Sequence, residues 1–97
     1  MIKEGDKLCG QTARKAEVID AYIVDNLLGC TDFNVQIYTL MRKDGKTITG
    51  RIITKYTGDC KWVDVYEPLE IGQEVLAWWP DRRTRTYYPD IIRTNEN

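Results

Sequence analysis

Two β-rich runs flank a short polar turn between residues 34 and 54, and this pattern constrains the fold more than any other feature. Asn34-Val35-Gln36-Ile37-Tyr38-Thr39-Leu40-Met41-Arg42 leads into Lys43-Asp44-Gly45-Lys46, and Thr47-Ile48-Thr49-Gly50-Arg51-Ile52-Ile53-Thr54 returns. β-Branched and aromatic residues on either side of a Gly-containing turn read as a hairpin. Asp44-Gly45 predicts a type I′ turn, whose positive φ angles match the twist of the flanking strands. Alternation places Val35, Ile37, Thr39 and Met41 on one face and Tyr38 and Leu40 on the other. Both faces carry apolar side chains, so the hairpin belongs in the middle of a barrel or sandwich.

The rest of the chain extends this reading. Asp6–Cys9 makes a short strand. Lys61-Trp62-Val63-Asp64-Val65-Tyr66 reads as another, opened by Gly58-Asp59 and closed near Pro68. Gln73–Trp79 is a further strand, ended by Pro80-Asp81. Thr86–Tyr88 and Asp90–Arg93 form a last one, and Pro89 inside it implies an edge or a bulge. Residues 12–28 support two readings. Ala13, Ala16, Ile23, Val24 and Leu27 share one helical face, but Asp20 falls in its middle. Period two over Glu17–Asp25 gives a strand buried on both sides. The strand is preferred, and a helix at 12–28 would make the fold α+β.

The 97 residues suit a single domain, 1–97, with one core. Residues 1–67 supply a five-stranded barrel-like unit, and 68–97 add a two-stranded segment. The strand order is that of a small SH3-like barrel, so the expected class is mostly β. The polar start, Met1-Ile2-Lys3-Glu4-Gly5-Asp6-Lys7, is unlike a signal peptide. No stretch approaches the roughly 18–20 apolar residues of a spanning helix. A cytoplasmic protein that engages no membrane is expected. Cys9, Cys30 and Cys60 are odd in number and widely spaced, which fits free thiols partly buried in the core rather than a zinc site or a disulfide framework.

The formal net charge of −1 conceals four blocks. Residues 1–41 carry −2, residues 42–61 carry +4, residues 62–81 carry −5 with no base, and residues 82–97 carry +2. A broad grip on duplex DNA is not expected of such a chain. A local anion site is compatible with it. Acidic and basic strands pairing across the sheet would also account for the pattern.

The chain has no histidine. That excludes an imidazole general base, a Ser-His-Asp or Cys-His pair and every His-containing metal site. No phosphate-loop or EF-hand pattern is present. The expectation is a non-enzymatic protein without a cofactor.

Glu4-Gly5-Asp6-Lys7-Leu8-Cys9-Gly10 echoes Ile71-Gly72-Gln73-Glu74-Val75-Leu76-Ala77. The second copy, continued through Trp78-Trp79-Pro80 and Thr86-Tyr87-Tyr88-Pro89-Asp90-Ile91-Ile92, resembles the opening strands of Tudor-like domains. The likeness is greatest to tandem Tudor readers of methylated histone tails and covers about a quarter of the chain. It implies an aromatic cage for methyl-lysine or methyl-arginine, with Trp79 and Tyr88 as walls and Trp78 or Tyr87 as substitutes. The loop here is longer and richer in arginine than in that family. The chain also ends before the later strands that complete a second Tudor barrel.

The residues themselves point to the same region. Neighbours on a strand face opposite sides, so one of Trp78 and Trp79, and one of Tyr87 and Tyr88, is free to face outward. Exposed aromatics can hold a cation, stack a base or anchor a protein contact. Arg82, Arg83 and Arg85 offer guanidinium forks for phosphate or carboxylate. The expected ligand-binding set is therefore Trp78, Trp79, Arg82, Arg83, Arg85, Tyr87 and Tyr88. It would serve a binding module for a peptide or nucleotide-type ligand. Alternatives are a small phage- or mobile-element-type protein acting as a homo-oligomer, and a methyl-lysine or methyl-arginine reader.

Overall fold

A computed structural model of the protein describes residues 1–25, 32–82 and 91–92. All regular structure among them is β. The strands are β1 (Lys7–Leu8), β2 (Gln11–Asp25), β3 (Phe33–Arg42), β4 (Thr47–Tyr56), β5 (Glu74–Pro80) and β6 (Ile91–Ile92). They form one antiparallel sheet in the order β4-β3-β2-β5-β6, with β1 also paired to β2, curled into a half-barrel. The mostly β class follows, and the helix considered for 12–28 does not form over 12–25. Leu27, like the rest of 26–31, lies outside the described residues.

The ambiguity of that segment has a physical cause. β2 pairs with β3 in register from Ala16↔Arg42 to Val18↔Leu40, then resumes at Asp20↔Thr39. Ile19 is the extra residue of a β-bulge, which shifts the alternation by one. Ala16 and Val18 face the core before the bulge, and Ala21 packs against it afterwards. A period-two pattern with one inserted residue resembles helical spacing over a short window.

The core lies on one face of the sheet. Val18, Tyr38 and Leu40 are its fully buried large side chains, joined by Ala16, Ile52, Leu69, Val75, Ala77 and Trp79. Tyr38 sits opposite Gly50 on β4. Its ring lies where a side chain at Gly50 would project, since a Cβ there would stand 2.6 Å from Tyr38 Cζ. The missing side chain at residue 50 is thus what admits a buried tyrosine.

The hairpin turn differs from the expected one. Gly45 has φ +87°, while Asp44 is not at positive φ. Gly45 N–H donates to Arg42 O at 3.0 Å, and Arg42 N–H donates to Lys46 O at 2.8 Å. This is a three-residue loop with glycine in the left-handed position rather than type I′. Asp44 completes it by accepting the Lys46 N–H on Oδ1 at 3.2 Å.

Residues 61–66 do not form the expected strand. The segment donates one backbone bond to the sheet, from Tyr66 N–H to Ile53 O at 2.8 Å. It then leaves the edge of β4 and crosses the core face as a strap. Leu69 lies over β3 at Gln36, and Gly72 and Gln73 reach β2 at Val18. An alternating apolar pattern suits a strap that buries every third or fourth side chain as well as it suits a strand.

The internal echo has a structural counterpart. Gly5 has φ +95° and Gly72 has φ +94°. Asp6 N–H donates to Lys3 O, and Gln73 N–H donates to Glu70 O, both at 3.1 Å. Gly5 and Asp6 then exchange backbone bonds with Ala13, as Gly72 and Gln73 do with Val18. The same glycine-centred turn therefore docks twice on β2. Ala13 and Val18 differ in parity, so the two turns approach its opposite edges.

Candidate functional site

The proposed site lies at the end of β5, and β2 positions it. β5 pairs with β2 from Glu74↔Glu17 to Pro80↔Gln11. Trp79 therefore stands opposite Thr12, and Trp78 opposite Ala13. Thr12 is buried and its hydroxyl donates to Asp81 Oδ1 at 2.6 Å. Lys7 Nζ donates to the same hydroxyl at 3.2 Å and approaches Asp81 Oδ2 at 4.0 Å. Asp81 N–H donates to Gly10 O at 2.9 Å. This latch ties the exit of β5 to the β1–β2 turn and fixes where the chain departs towards Arg82.

Strand alternation separates the two tryptophans. Trp79 is 6% exposed and belongs to the core. Trp78, on the other face, is half-buried. Arg82 is exposed just past the strand. Arg83, Arg85, Tyr87 and Tyr88 lie outside the described residues, as do Thr86, Pro89, Asp90 and Arg93. Trp78 and Arg82 are thus the accessible members of the described set, and Trp79 faces inward.

The ring of Trp79 already holds a cation. Arg42 Cζ lies 5.2 Å from its centroid, a cation–π distance. Arg42 Nη2 also donates to Asp44 Oδ2 at 2.6 Å. The Lys46 backbone N–H, followed by the Arg42 and Lys46 charges, holds the Asp44 carboxyl below its ordinary range. Hairpin turn, guanidinium and indole thus form one stack on the core side of the sheet.

Two structural residues were not anticipated from the sequence. Arg42 shares the parity of Tyr38 and Leu40, which hints at an inward direction. Its partner is on β5, and nothing local reveals that β5 lies across β2 from the hairpin. Gln36 is 3% exposed. Its Nε2 donates to Leu69 O and its Oε1 accepts the Leu69 N–H, both at 2.8 Å. A primary amide that satisfies both groups of one residue imitates a strand neighbour. A glutamine amid apolar residues on β3 was the available signal.

Among the described residues no cluster of three or more Cys, Asp or Glu could hold a metal ion. Cys9 and Cys60 are free thiols but exposed, not part of the core as expected, because both lie on connections outside the strands; Cys30 lies outside the described residues. Among the described residues no helix is long and apolar enough to cross a membrane. Comparison with protein-family models, curated proteins and solved structures gave no match.

Proposed function

We propose that the chain is a non-enzymatic binding module that takes a peptide or nucleotide-type ligand at the end of β5. The observation carrying this reading is the division of labour between two adjacent tryptophans. Trp79 is committed to the core, whereas Trp78 presents part of its indole on the opposite face, a few residues from the exposed Arg82. An indole face beside a guanidinium offers stacking together with a charge-assisted anchor for phosphate or carboxylate.

A methyl-reader version of this site would have to dispense with Trp79 as a cage wall. Its ring is buried and faces Arg42 of the same chain. That favours an anionic or planar ligand on Trp78 over a methylated cation on Trp79. The test is a thermal-shift panel of nucleotides and of acidic and methylated peptides, followed by titration of the best ligand. Binding lost in Trp78→Ala and weakened in Arg82→Ala, with both variants still folded at the assay temperature, supports the reading. Ligand binding indifferent to both substitutions refutes it.

A further inference from the structure

Among the described residues Lys43, Lys46, Lys55 and Lys61 make no ion pair with Asp64, Glu67, Glu70 or Glu74. Lys7 pairs with Asp81, and Arg42 with Asp44. Neither joins the basic run to the acidic strap. Lys43, Lys46, Lys55 and Lys61 are exposed on the hairpin turn, on β4 and just beyond it. Asp64, Glu67 and Glu70 on the strap, and Glu74 at its junction with β5, are exposed as well. The same stretch exposes apolar side chains. Trp62 is 80% exposed, and Val65 and Ile71 are exposed on the strap. Trp is rarely left this open on a folded surface without a contact to serve.

The two surfaces adjoin. The strap begins at the edge of β4, where Tyr66 N–H donates to Ile53 O. One patch therefore runs from Lys55 and Lys61, at the end of β4, onto the acidic strap, and Trp62 lies in the segment linking them. We infer that this patch is the interface of a two-fold dimer, in which the strap of one copy docks on the β4 side of the other.

A two-fold interface uses the same patch on both copies, so every acidic–basic contact occurs twice. An adjoining pair of opposite charges has the self-complementarity that this symmetry demands. The net charge of −1 puts little overall repulsion in the way. Direct pairing of β4 with its own copy is disfavoured, because Lys46 and Lys55 would meet like charges along that edge. A standard interface covers about 800 Å² per partner. Against a total accessible surface of 7088 Å², that is a modest patch. The inference does not depend on Trp78 or Arg82.

Charge reversal tests it. Glu67→Lys with Glu70→Lys reverses two charges of the acidic strap, and Lys46→Glu with Lys55→Glu reverses two of the basic side chains. The unmodified chain should sediment as a dimer at low ionic strength and dissociate in high salt. Each double variant alone should be monomeric, with its dimer dissociation constant raised at least tenfold. Mixing the two should restore a heterodimer, because both contacts are then complementary. Trp62→Ala should weaken the dimer without altering the circular dichroism. A wild-type monomer at submillimolar concentration overturns the inference. So does a dimer that survives both reversals. Capture of an oligo-lysine peptide by a monomeric chain through Glu67 and Glu70 also overturns it, in favour of a basic partner.

Discussion

Replacing Gln36 with leucine should remove the side-chain attachment of the strap at Leu69. The side chain is 3% exposed, and its amide makes two bonds of 2.8 Å to Leu69. Leucine has a similar volume, so the cavity is small and the change is chiefly the loss of both partners. Leu69 N–H and C=O would then be buried without a hydrogen bond, at about 1–3 kcal/mol each. Allowing for relaxation of the strap, the expected loss is about 2–4 kcal/mol. In a urea titration followed by tryptophan fluorescence, with a slope of about 1–3 kcal/mol per molar, the midpoint should fall by roughly 1–3 M. The companion variant Gln36→Glu keeps the acceptor for Leu69 N–H but sets a carboxylate oxygen against Leu69 O. Burial and that contact raise the carboxyl pKa in the folded state. Its deficit should therefore be least below the unfolded pKa of about 4.3 and grow as pH rises towards the folded value. An unfolding free energy for Gln36→Leu within about 0.5 kcal/mol of the wild type would refute the reasoning, since ordinary surface changes are that small.

Gly50→Ala places a Cβ against the ring of a tyrosine that is 1% exposed, and should cost about 1–3 kcal/mol as overpacking, read from the thermal midpoint. Tyr38→Leu together with Gly50→Ala should recover part of that loss if the close approach is its cause. Trp79→Ala should cost about 3–5 kcal/mol, whereas Trp78→Ala should cost distinctly less, in the same denaturant assay. The folded-state pKa of Asp44 is lowered, so its contribution is present above the unfolded value and is lost as pH falls through the folded one. Asp44→Asn should therefore flatten the stability profile below the ordinary carboxylate range, and a direct carboxyl titration by NMR should place Asp44 below the ordinary aspartate value.

Local chemistry made much of the fold legible. The expected Gln73–Trp79 strand appears as Glu74–Pro80, and the hairpin strands appear within two residues of their expected limits. Proline, glycine and β-branched runs act over a few residues, so they speak for themselves. The Lys61–Tyr66 strand failed because a strand needs a neighbour throughout its length. Here the chain turns across the core face after a single bond to β4. The candidate site was legible as a cluster of residue types but not as an arrangement. Period two says that Trp78 and Trp79 face opposite ways without saying which faces in.

What the sequence determined alone is the β class, the alternation of each strand, the charge blocks and the lack of imidazole chemistry. These follow from side-chain shape and charge, which need no partner. Only the tertiary structure decided that Trp79 is the buried indole, because β2 lies beside β5 and carries it next to the hairpin bearing Arg42. It likewise set Leu69 under the amide of Gln36, and absorbed Ile19 as a bulge so that both halves of β2 face the same core. Each of these depends on contacts between segments distant in the chain. Alternation fixes relative direction along a strand, while the direction of the core depends on what packs over it.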